Sequence, residues 1–107
     1  MSDTYETKLA ALRQRFRDRS AADSVVLARI VADLERGSPT AGLPPELRRI
    51  AHGLAGAAGT FGFEAISACA AELEDLVTEV ADTRQVALAC RALITEIRLD
   101  TTGPQFK

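Results

Sequence analysis

His52 is the only histidine in the chain. Imidazole has a reference pKa of about 6.5, so near pH 7 a neutral, nucleophilic form dominates. His52 lies in the stretch AHGLAGAAGTFGF, residues 51–63. On a helical wheel at about 100° per residue, Leu43, Leu47, Ile50, Leu54, Ala58 and Phe61 share one side. His52 falls opposite, among Arg48, Ala55, Gly56 and Gly59. Gly53, Gly56 and Gly59 all interrupt the same helix, and each costs about 0.8–1 kcal/mol relative to alanine. Packing accounts for Gly53, which lies nearer the expected core. Gly56 and Gly59 are expected to point outward beside His52, and a surface cleared of side chains is what close approach by a partner requires. Two plainer readings stand beside this one. A single surface histidine is usually just solvated, and glycines in an alanine-rich helix also serve close helix packing.

Other chemistries find little support. Cys69 and Cys90 are far apart, with no Cys-x-x-Cys spacing. They read as two buried thiols rather than a disulfide or a zinc site. There is no Gly-rich Lys-Ser/Thr loop for a nucleotide and no compact acidic pocket for Mg²⁺, so no cofactor and no metal site is expected. A formal net charge of -2 argues against general nucleic-acid binding. No apolar run is long enough to span a bilayer, and MSDTYETKLAALRQRF lacks a secretory core, so no membrane association and a cytoplasmic location are expected.

The elements that would position His52 are helical almost throughout. The 107 residues fit one domain, 47% of them hydrophobic and 26% charged, with no alternation long enough for a strand. A first segment runs from about Thr4 to Arg19, with Tyr5, Leu9, Leu12 and Phe16 in one stripe. A second runs from about Ala22 to Arg36, with Val26, Leu27, Ile30, Val31 and Leu34 inward. Ser20 or Asp23 could cap its start, and Gly37 its end. Whether these are two helices or one kinked helix stays open.

The loop GSPTAGLPP, residues 37–45, follows, with Pro44 or Pro45 suited to a first helical turn. The third helix ends near Thr60. A fourth, about Gly62 to Ala81, turns Ile66, Cys69, Leu73, Leu76 and Val80 to the core. Asp82 or Thr83 caps a fifth, with Val86, Ala89, Cys90, Leu93 and Ile97 inward, and the tail DTTGPQFK reads as coil. Short connections make neighbours antiparallel. The expected fold is an all-α, up-and-down four-helix bundle with an additional N-terminal helical segment. It forms a single domain over residues 1–107, with its core bundle at about 22–99.

The run AHGLAGAAGTFGF, followed by ISACAAELEDL, resembles the histidine phosphotransfer family. It is especially similar to the phosphoacceptor domain of chemotaxis histidine kinases. The motif match covers about residues 48 to 76. His52 matches the phosphoacceptor, Gly56 the glycine one turn later, Gly62 the glycine that ends the helix, and Leu73-Glu74 a leucine-glutamate pair on the next helix. The resemblance implies a phosphocarrier rather than an enzyme. It would exchange a phosphoryl group with the aspartate of a response-regulator receiver domain and act with a sensor histidine kinase, these partners supplying ATP and Mg²⁺. A monomer is the form implied for a free-standing member.

In the family one ring nitrogen attacks phosphorus while the other is oriented by a hydrogen bond, and Glu74 is the candidate orienter. A hairpin turning near Phe63 sets His52 and Glu74 at about the same height, each eleven residues away. The plainer reading is a surface glutamate in the acidic run Glu72, Glu74, Asp75, Glu79. Arg48, Arg49, Ala55, Gly56, Gly59 and Phe63 are candidate partner contacts.

One departure is clear. The family usually carries a lysine three residues after the histidine, where this chain has Ala55. Arg48, one turn before His52, is a nearby cation that could partly substitute. The alternatives are a non-catalytic interaction module of the same shape, the phosphoacceptor domain of a larger chemotaxis-type kinase, and a plain structural bundle. The last leaves the outward glycines unexplained.

Overall fold

The expected apolar stripes become four helices in a computed structural model, which describes residues 2–37, 42–79 and 81–102. They are α1 (Ser2–Glu35), α2 (Pro45–Phe61), α3 (Glu64–Thr78) and α4 (Thr83–Thr102). Each packs against its neighbours in chain order, and α1 closes the ring against α4. This is the up-and-down antiparallel four-helix bundle, with α3 diagonal to α1 and α4 diagonal to α2. Its centre is filled by Leu27, Leu47, Leu54, Ile66, Leu73 and Leu93, all essentially inaccessible to solvent. Removing such a side chain from water stabilises the fold by roughly 1.5–3 kcal/mol each.

The two N-terminal segments are one continuous helix, so the additional segment is the first half of α1. Neither Ser20 nor Asp23 caps a helix start. The Ser20 hydroxyl is buried and donates to the Arg17 carbonyl at 3.0 Å, a back-bond that satisfies a hydroxyl inside a helix. Asp23 pairs with Arg19 at 3.6 Å.

The stripe expected over Tyr5, Leu9, Leu12 and Phe16 packs only at its C-terminal end. Phe16 is 4% exposed, while Tyr5 is 69% and Leu12 41% exposed. The cause is length. A helix of 34 residues runs about 51 Å and one of 17 residues about 26 Å, so the first turns of α1 extend past the bundle.

The ends follow local chemistry. Gly37 stops α1 at φ 69°. Pro44 (φ −68°, ψ 142°) leads into α2, with Pro45 at its first position, where the missing N–H is no loss. α2 ends at Gly62, φ 86°. The Gly62 N–H donates to the Gly59 carbonyl and the Phe63 N–H to the Ala58 carbonyl at 2.8 Å. This pair of bonds is a Schellman motif, which needs a left-handed residue where Gly62 stands. Asp82 caps α4, its Oδ1 accepting from the Arg84 N–H at 3.1 Å.

Cys69 and Cys90 are free thiols, Cys69 half-buried and Cys90 buried. Burial pushes the Cys90 thiol up to about 12. No helix among the described residues is long and apolar enough to cross a membrane. Val80, residues 38–41 of the loop and residues 103–107 of the tail lie outside the described residues.

Candidate functional site

α2 has three faces, fixed by its neighbours in the ring. Leu47, Ile50, Ala51, Leu54 and Ala58 are buried toward the bundle axis. Ala51 escaped the wheel because its small side chain adds little to an apolar stripe. One flank meets α3, the other meets α1, and the remaining strip faces solvent. His52 lies on that strip with 77% of its side chain exposed. Its ring turns toward α3, where Nδ1 stands 2.7 Å from Glu74 Oε2. An ionised carboxylate only accepts hydrogen bonds, so Nδ1–H is the donor. In neutral imidazole the proton on Nδ1 leaves the lone pair on Nε2, the atom free to meet a partner. Glu74 is 24% exposed, far more confined than the histidine it holds.

The hairpin geometry brings the pair together. The Schellman turn at Gly62–Phe63 reverses the chain, so residues equally distant from Phe63 share a level along the two helices. A groove of about 520 Å³ opens there, lined by Pro45, Arg48, Arg49, His52 and Glu74. Arg48 and Arg49 are exposed and give this groove its positive charge.

The glycines separate. A Cβ built on Gly56 would meet nothing within 4 Å, as expected of an outward position. Gly59 is also exposed, but its Cβ would lie 3.3 Å from Ser67 Oγ on α3. The Ser67 hydroxyl donates to the Ala55 carbonyl at 2.9 Å, so Gly59 and Ala55 belong to the flank where α2 and α3 pack. Ala55 is accordingly half-buried rather than exposed. Phe63 stacks on Phe16, ring centroids 4.8 Å apart, with the Arg17 guanidinium 5.2 Å above its ring. Its side chain holds the middle of α1 to the hairpin instead of lining the groove at His52. Gly53 faces α1, where a Cβ would collide with Arg19 Nη2. Nothing in the linear sequence marks that contact, because it depends on the α1–α2 register.

A family model described as the Hpt domain matches residues 7–100. No curated protein and no solved structure matches the chain.

Proposed function

We propose a function from one premise: the chain belongs to the Hpt domain family, the histidine phosphotransfer domains. A domain of this family serves as a phosphocarrier in two-component signalling and works with receiver and kinase domains. Within that frame His52 is the phosphoacceptor. The single observation that carries this is the exposed imidazole with Nδ1 held by Glu74 at 2.7 Å, which leaves Nε2 as the nitrogen for attack.

In the transfer step the Nε2 lone pair attacks phosphorus of a receiver's aspartyl phosphate. The N–P bond forms as the P–O bond to the aspartate breaks, and the carboxylate leaves with the electron pair. Nδ1–H stays on the ring throughout. Its bond to the Glu74 carboxylate strengthens as the ring gains positive character, which is a charge-assisted interaction of the stronger kind. In the reverse direction the same bond helps the ring leave. Glu74 therefore orients the ring and stabilises its charge without touching phosphorus.

Close approach of a receiver is served by the absence of a side chain at Gly56, one turn along the exposed strip. Arg48 and Arg49 border the groove and suit an acidic partner surface.

The test is incubation of the domain with a phosphorylated receiver and Mg²⁺. Label should move to the domain, be labile in acid and stable in base, and be absent from His52→Gln. A domain that binds the receiver and gains no label is a docking module instead.

A further inference from the structure

We infer that Arg19, on α1, is the cation that holds the phosphoryl group on His52, and that Gly53 is glycine so that its guanidinium can lie there. This rests on His52 being the phosphoacceptor. A phosphoryl group on Nε2 brings negative charge to a site whose α3 side already carries Glu74. The compensating cation must come from elsewhere. Position 55, three residues after His52, offers none: Ala55 is half-buried on the α3 flank, and its carbonyl takes the Ser67 hydroxyl. Arg48 and Arg49 line the groove with His52, and a further cation stands on the α1 side of α2.

There the Arg19 guanidinium crosses from α1 onto α2 and lies against Gly53, the residue next to His52. It is so close that any Cβ at that position would collide with Nη2. Alanine at 53 would favour the helix by about 0.8–1 kcal/mol, and its Cβ would displace the flexible end of Arg19 rather than a core side chain. The guanidinium is also held. Its Nε faces Asp23 Oδ2 at 3.6 Å one turn along α1, and Asp23 lies in the field of Arg49 as well.

Guanidinium offers five N–H donors in a fixed fork, and the contact with Asp23 engages only Nε. The Arg19 side chain is 48% exposed, so donors remain open to an arriving anion. Arg48, by contrast, is exposed and forms no ion pair among the described residues; its long side chain would have to be ordered at the moment of transfer. Arg19 is held by Asp23 beside Gly53, and a held cation contributes more to a transferring phosphoryl group than one that must first be ordered.

The domain is phosphorylated with phosphoramidate: Nε2 attacks phosphorus, the P–N bond to the donor breaks, and ammonia leaves. The second ionisation of the protein-bound phosphoryl group is then followed by phosphorus NMR against pH. A nearby cation favours the dianion and lowers that pKa. Arg19→Gln should raise it by about half a unit, and Gly53→Ala, which keeps the charge but displaces it, should shift it the same way. Arg19→Lys should recover part of the difference. Arg91→Gln, on α4 diagonal to α2 and bound to Glu35, is the control that should titrate as the wild type. Transfer to a receiver should slow several-fold in Arg19→Gln, with most of the change in KM. If Arg19→Gln melts at a lower temperature but titrates and transfers as the wild type, Arg19 is a packing residue and the inference is overturned. Failure of the underlying reading is distinct, because the wild-type domain would then take no label, or His52→Gln would take it as well.

Discussion

Two neighbouring strips of α2 are built from similar small residues and meet opposite surroundings. The outward strip carries Arg48, His52 and Gly56, and a side chain at Gly56 would meet nothing within 4 Å. The α3-facing strip carries Ala55 and Gly59, and a side chain at Gly59 would press on Ser67 Oγ at 3.3 Å. Glycine in a helix therefore does not by itself mark a docking face. What marks it is the space a side chain would enter: empty solvent at 56, a packed and hydrogen-bonded neighbour at 59. The α1-facing Gly53 is a third case, where that space is filled by a guanidinium.

The sharpest separation of the strips comes from their largest effects. His52→Gln should lose all acid-labile label while changing stability by no more than about 0.5 kcal/mol, as expected at an exposed position. Phosphorylation assays beside a thermal melt check both halves. Next come two leucine substitutions one turn apart. Gly56→Leu should stay folded and lower or abolish transfer, because a side chain there stands between His52 and a receiver. Gly59→Leu should do the reverse, destabilising the domain by about 1–3 kcal/mol through overpacking against α3 while the folded fraction still transfers. If both variants behave alike, the two strips are one surface and the comparison collapses.

A smaller effect is expected at Glu74, which reaches the outward strip from α3. Glu74→Ala should leave the bundle intact and slow single-turnover transfer by roughly tenfold, the scale of one charge-assisted hydrogen bond worth about 1.5 kcal/mol. Glu74→Gln, which can still accept from Nδ1–H, should fall between Ala and wild type. Equal rates for all three would remove Glu74 from the orienting role.

Much of this arrangement was legible in the residues. Periodicity placed Leu47, Ile50, Leu54 and Ala58 inward and His52 outward, because a wheel needs only the helical period. The turn at Gly62 and the equal spacing of His52 and Glu74 about Phe63 brought those two together, because a tight hairpin fixes the relative height of its arms. What the wheel could not fix was rotation against a neighbour. Gly59 and Ala55 sit near the boundary between solvent and α3, and a few tens of degrees decide which they face. Phe63 read as a partner contact, yet it stacks on Phe16, because α1 reaches back over the hairpin from the other end of the chain. The apolar spacing of Tyr5, Leu9 and Leu12 likewise promised burial. Spacing describes a face and not the length of the neighbours available to cover it. The Arg19–Gly53 contact depends on register between α1 and α2, which are joined by a long loop, and no local signal encodes it.

The smallest expected effect is also the cleanest probe of the two strips, because it adds one methyl group and nothing else. At Gly56 an added Cβ meets nothing within 4 Å, and the helical backbone there suits any L-residue. Gly56→Ala should therefore stabilise the domain by nearly the full propensity difference, about 0.8–1 kcal/mol. The same change at Gly59 starts from the same propensity gain, but its Cβ must push Ser67 Oγ aside. Ser67 is itself bonded to the Ala55 carbonyl at 2.9 Å, so moving it strains or breaks a bond worth about 0.5–1.5 kcal/mol. The two terms are of similar size, and Gly59→Ala should fall near zero. A double variant, Gly59→Ala with Ser67→Ala, removes the obstacle and the bond together, so the added cost of Gly59→Ala should shrink when Ser67 is already alanine. Denaturant melts of the four variants measure these differences directly. If Gly56→Ala and Gly59→Ala are equally stabilising, and Ser67→Ala does not alter the second, then the α3 flank is as open as the docking face. The distinction between a functional and a packing glycine on this helix would then be lost.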